Sequence, residues 1–274
     1  MAFILESHLV LPDQEKVAFE NAAREGNCSL MKPVLDEAEK QGKKYILWRK
    51  EGGLWHIMAC RDFCGIRRGD IGGLVESEDN LSHHGNCWVH DGSAVLGNAT
   101  VLDDAWISCN ALVFGTAMVC GYAFVGMQTL SADLGRAMVY GNARICDNAI
   151  VKDNARVYGN ARVRERARVL GDAMVCGHAD IFGHAEIMAT AVVRDCSMAA
   201  ENAKVTGHSI LAGSAKAYGN AFIAGNSVVC DTAEVYGWAS VEGNAFVCGK
   251  ADIRERALVK RFVKDKAVED ARYA

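Results

Sequence analysis

Few residue types in this chain sit at spacings that could do chemistry. Of its eight histidines, His178, His184 and His208 lie in the second half, where an imidazole could act as a general base or bind zinc. His178 and His184 are six residues apart and His208 lies 24 further on. His83, His84 and His90 form a second group, as candidates for metal ligation or for a cap or surface role. A different chemistry is offered by Tyr140 and Tyr158, with Arg156 just before the second tyrosine and Arg194 further along the chain. Tyrosine supplies a flat ring for stacking, and arginine a planar fork that matches phosphate or carboxylate. No phosphate loop, GxSxG elbow or carboxylate pair stands out. The eleven cysteines are scattered without a CxxC pair, which fits free thiols in a reducing cytoplasm.

What positions these residues is a repeat of six. From Val139 to Val259 every sixth residue is Val, Ile or Leu, save Ala199 and Ala217, and two residues before each stands Ala or Ser. Val89, Val95, Val101, Ile107, Val113, Val119 and Val125 keep the same beat in an earlier block. The two blocks differ in phase, which reads as a two-residue insertion within "GMQTLSADLGR" and leaves little room for a catalytic loop. In A-x-V-x-G-N, Ala and Val are two apart, so in a strand both point inward. The next two positions favour Gly, Asp, Asn and His, which tolerate the positive φ of a sharp corner. Three hexads then make a triangular coil, and coils stack about 4.8 Å apart as parallel sheets. Tyr140 and Tyr158 are three hexads apart, so they fall on adjacent coils, and Arg194 lies two coils beyond Tyr158.

The unit resembles the hexapeptide repeat of left-handed parallel β-helix proteins, over residues 74–260. The string "GDIGG…ESEDNLS…GNCWV" within 61–91 resembles the lead-in of the YdcK-like bacterial and phage proteins. The resemblance implies an all-β fold, a left-handed winding, about ten coils roughly 50 Å long, and subunit association as homotrimers. It also implies an acyltransferase label by analogy of fold. On that reading the base would be a histidine, with His178 the candidate and acetyl-CoA the acyl donor. His178, His184 and His208 fall on different edges, however, and all occupy the second corner position. That position suits a residue that simply tolerates the turn.

Every third hexad shares a face. One face combines the strands at Val101, Val119, Val139 and onward, with Met138, Met174, Val192, Ile210, Val228 and Phe246 outward. Arg156 and Arg194 are its only charges. Such a strip reads as a subunit interface, or as a surface covered by the chain's own segments. A guanidinium buried there needs an anion. A neighbouring subunit's carboxylate, a bound ligand, or water in a splayed interface would serve, and Asp195 and Glu201 lie at corners nearby. Arg156 and Arg194 beside Tyr140 and Tyr158 suit a nucleotide-type ligand, with tyrosine stacking and arginine on phosphate. A phage protein of this kind would sequester a host signalling nucleotide. A second face carries Trp88, Trp106 and Phe124, for docking of N-terminal helices or for base stacking.

Three functions remain open: a non-enzymatic oligomeric scaffold binding an anionic small molecule or a partner, a hexapeptide-type acyltransferase, and a structural polymer. A formal net charge of −4 gives no electrostatic case for nucleic-acid polymers or anionic membranes. No metal or resident cofactor is expected. The start, "MAFILESHLVLPDQEK", lacks a basic n-region and a cleavage site, so a cytoplasmic location is expected. Residues 1–73 read as an N-terminal cap: a helix over "QEKVAFENAARE", a second over "PVLDEAEKQ", and a hairpin turning at "EGG". Residues 261–274 read as a C-terminal cap in the form of a short helix.

Overall fold

The structure, a computed structural model, describes residues 31–126 and 137–269, together with the backbone of 272–273. It is a parallel β-solenoid. Two-residue strands recur every six residues, and strands three hexads apart pair in parallel register, as Val157 does with Val175. Three sheets of 13, 10 and 11 strands result, here sheets A, B and C in the order one coil visits them. Sheet A includes Met138–Val139, sheet B Arg144–Ile145 and sheet C Ile150–Val151.

The six-residue beat follows from what each position meets. The Ala and Val positions are buried throughout, and their side chains form one continuous core along the axis. At two of the positions where Ser replaces Ala, the hydroxyl finds backbone: Ser197 Oγ donates to Arg194 O at 2.7 Å, and Ser209 Oγ to Thr206 O at 2.6 Å, whereas the buried Ser93 Oγ has no partner among the described residues. At Ser197 and Ser209 the buried hydroxyl therefore carries little desolvation penalty. The corner residue sits in the left-handed region, as at Gly159 (φ 73°), Asp147 (φ 60°) and Glu165 (φ 62°). That conformation costs an L-residue about 1–2 kcal/mol. The carboxylate offsets it: Asp147 Oδ2 accepts the N–H of Glu165, and Glu165 Oε2 that of Gly183, each at 3.0 Å. Asp103, Asp153, Asp195 and Asp231 do the same for the coil above.

The N-terminal helix expected over residues 14–25 lies outside the described residues. Helix α1 (Lys32–Lys40) begins with Pro33 in its first turn and is followed by Gly42 at φ 76°. Strands β1 (Tyr45–Glu51) and β2 (Leu54–Ala59) form the hairpin, with Gly52 and Gly53 both at positive φ. Away from its tip both faces are buried, and period-two alternation sends successive residues to opposite sides. Tyr45, Leu47, Trp55 and Ile57 join the solenoid core, while Ile46, Trp48 and Met58 pack with Val34 and Leu35 of α1. Strand β3 (Ile71–Val75) pairs antiparallel with β2 and parallel with Ala94–Val95, so the hairpin extends sheet A itself. Trp88 makes edge contacts with Tyr45 and Phe63, at ring centroids 6.5 and 5.4 Å. Lys44 is buried there, with Nζ donating to Cys87 O at 2.8 Å, and burial lowers its pKa. Among the described residues no helix is long and apolar enough to cross a membrane.

Two expectations are corrected. Val139 pairs with Val113, not Val119. Across this coil, paired positions such as Thr116 and Asn142 differ by 26 in number, where Asn142 and Asn160 in the next coil differ by the usual 18. The insertion is the difference between those two steps, eight rather than two. Everything before it moves by one face: Met118 and Cys120 belong to sheet B with Arg144, and Trp88, Trp106 and Phe124 lead into Ile150 and Arg168 on sheet C. The chain end is not helical. Phe262–Lys264, Ala267–Glu269 and Arg272–Tyr273 add one more strand to each sheet. The beat fades because this coil is tighter: Val247 pairs with Val263, Ile253 with Val268 and Val259 with Tyr273.

Candidate functional site

Sheet A presents two outward columns, one before and one after each inward Val. The first runs Leu112, Met138, Arg156, Met174, Val192, Ile210, Val228 and Phe246 in consecutive coils, each paired in register with the next. All six residues expected to form an interface fall in this one column. Phe246 stacks on Phe262 at 5.8 Å, and both rings are exposed. The second column holds Phe114, Tyr140, Tyr158, Cys176, Arg194, Ala212, Cys230 and Cys248.

The second column carries the recognition geometry. Phe114, Tyr140 and Tyr158 stack face to face, with centroids 4.8 Å apart at each step and planes 7° and 1° from parallel. The coil spacing sets that distance, because in-register strands carry their side chains in line. The stack ends at Tyr158, because the next coil offers only Cys176. Tyr158 Oη lies 3.1 Å from Met174 Sδ. Hydrogen bonding with Cys176, together with burial, pushes the Tyr158 pKa up to about 12. It is therefore a neutral phenol at physiological pH, a stacking surface whose proton points at Met174 Sδ.

Arg156 lies in the coil of Tyr158, exposed, with Met138 and Met174 as its in-column neighbours. No carboxylate among the described residues pairs with it. Arg194 stands two coils beyond Tyr158, and its Nη1 is 3.7 Å from Asp195 Oδ2 in a half-exposed pair. Tyr140, Tyr158 and Arg156 are thus brought together, and Arg194 stands apart with an anion of its own. Phe114 was missed as a third ring, because the misjudged insertion put it on another sheet. A local signal was present: "FGTA" repeats the pattern of "YGNA" after Tyr140 and Tyr158.

The histidines go elsewhere. His178 ends a polar ladder on the edge between sheets A and B: Asn142 Nδ2 donates to Asn160 Oδ1 at 3.0 Å, and Asn160 Nδ2 lies 3.1 Å from His178 Nε2. With Asn160 donating, Nε2 is an acceptor already in use. His208 Nδ1 contacts Thr190 Oγ1 at 2.5 Å on the edge between sheets C and A. His184 borders a shallow edge depression with Asp147 and Glu165, whose carboxylates already hold backbone N–H groups. His83 binds Glu78, 2.7 Å away, and stacks on Tyr45. His90 leans on the Trp106 ring at 4.8 Å, and burial lowers its pKa.

Compared with known protein families and with curated proteins, the sequence matches none of them.

Proposed function

We propose that this protein is a non-enzymatic binding scaffold, with the sheet A face as the surface between copies of the chain and the ring stack as a ligand seat. One observation carries the reading. The sheet A columns run uncharged from Ala94 to Cys248 except at Arg156 and Arg194, whereas sheets B and C are laced with internal ion pairs. An apolar strip of such length favours a covered surface, and a homotrimer is the assembly in keeping with a left-handed hexapeptide-repeat solenoid. The repeat and the left-handed corner residues support that kinship.

The ligand class follows from the end of the stack. A flat heteroaromatic ring laid on Tyr158 over Cys176 would extend the ladder by one step, and an attached phosphate would give Arg156 its anion. A mononucleotide or cyclic nucleotide has both parts. Calorimetry against nucleotides and acyl-CoA tests this. Wild type should bind a phosphate-bearing nucleotide, and Arg156→Ala should bind it at least about tenfold more weakly while light scattering gives the same mass. An Arg156→Ala protein that dissociates instead would make Arg156 half of an intersubunit ion pair. No binding to wild type would leave the scaffold without a ligand.

A further inference from the structure

The long coil at the insertion brings together Cys120 and Cys146, which are far apart in sequence. They follow the paired strands Met118–Val119 and Arg144–Ile145 of sheet B, so they are in-register neighbours on adjacent coils. Their sulfurs lie 2.7 Å apart, and both side chains are half-buried, within reach of solvent. We propose that Cys120 and Cys146 are a dithiol–disulfide modification site that takes glutathione-type disulfides as its oxidant.

Geometry carries the assignment. A disulfide needs Cα atoms about 4.4–6.8 Å apart, and the spacing of paired strands, about 4.8 Å, falls inside that range. The thiols already face each other, so closure needs no movement of the coils. The two sulfurs also differ in character: the Cys120 thiol donates a hydrogen bond to Cys146, which raises the pKa of Cys120 and lowers that of Cys146. Arg144 adds its positive charge on the Cys146 side. Cys146 is therefore the readier thiolate.

The exchange balances in two steps. The Cys146 thiolate attacks one sulfur of glutathione disulfide, forming a protein–glutathione bond and releasing one glutathione thiolate. The Cys120 thiolate then attacks the Cys146 sulfur, closes the protein disulfide and expels the second glutathione. Two protein thiols are oxidised, one glutathione disulfide is reduced to two thiols, and excess reduced glutathione reverses the process. The bridge would clamp both ends of the one coil that carries the insertion, closing a loop the bare repeat does not have.

Cys230 and Cys248 provide an internal comparison. They stand one coil apart on sheet A, where Cys248 is 6% exposed. Full-length protein should be equilibrated in glutathione buffers of increasing oxidised fraction, quenched, digested unreduced and weighed by mass spectrometry. The expected result is a linked Cys120–Cys146 peptide, lighter by two hydrogens than its parts and lost on reduction, forming before any Cys230–Cys248 link. Cys120→Ser and Cys146→Ser should each abolish it. Glutathione adducts at Cys120 or Cys146 without the link would overturn the proposal. So would an unmodified pair in buffers that modify exposed Cys196, or a Cys230–Cys248 link appearing first.

Discussion

Sheets A and C are built from the same hexads, yet they solve opposite problems. On sheet C, Arg168, Glu186 and Lys204 occupy three successive coils. Glu186 holds both cations, with Oε1 3.0 Å from Arg168 Nη1 and Oε2 3.0 Å from Lys204 Nζ. The sheet A strands that follow these three in the chain show Met174, Val192 and Ile210. Sheet B behaves like sheet C: Arg164 pairs with Asp180 at 3.0 Å and Lys216 with Glu234 at 2.9 Å. In a parallel stack each outward residue has a fixed neighbour one coil away. A column of alternating charge satisfies itself and can face water, while an apolar column has nothing to offer water at all. The outward sequence therefore separates the faces whose charges pair within one chain from the face proposed to meet another copy.

The contrast between faces breaks most easily on the apolar strip. Met174→Glu with Ile210→Glu should reduce the assembly to monomers in light scattering, because two carboxylates would be desolvated without partners. Met188→Glu with Thr206→Glu, on sheet C, should leave the mass unchanged. Equal masses in both variants would mean the sheet A strip is not an interface. A middle-sized effect should ignore the faces altogether. Asp231→Ala removes the acceptor of the Gly249 N–H, 2.9 Å away, and Asp153→Ala removes the corresponding acceptor at another corner. Each should cost about 1 kcal/mol and lower the melting temperature by about 2–4 °C.

The smallest effect concerns the charged ladder. Hydrogen bonding from Lys204 and the nearby Arg168 hold the Glu186 carboxyl below its ordinary 4.5. A depressed carboxyl contributes stability above that value and loses it as pH falls through the lower, folded one. Glu186→Gln should cost about 0.2–1 kcal/mol at pH 7, less in high salt. Its deficit should shrink as pH falls below 4.5 and close beneath the lower, folded value, as followed by chemical denaturation.

The inward residues were readable from sequence because each must be small or β-branched, whatever the face. The hairpin was readable too, since "EGG" supplies two residues able to take positive φ. The faces before Val125 were not readable. The interval from Val125 to Val139 divides as well into two hexads plus two as into one hexad plus eight. Met127, Leu130 and Leu134 offer enough apolar residues to pass for an extra strand. The final coil was missed for a related reason, as Val247 meets Val263 after a step shorter than three hexads. The Tyr140–Tyr158–Arg156 grouping survived the error because all three lie after it. Phe114 and the Cys120–Cys146 contact straddle it, and were lost.

The stack has a reading frame. Between residues 137 and 259, one residue gained or lost would turn every later side chain from core to surface, and a hexad gained or lost would hand each strand's outward pair to the neighbouring sheet. Only whole coils would leave every address unchanged. The insertion after Val125 escapes this arithmetic, since Val139 rejoins sheet A, the sheet next in turn after the one that holds Val125. Among the described strands from Val89 to Val259, that is the one step between successive sheets longer than a hexad.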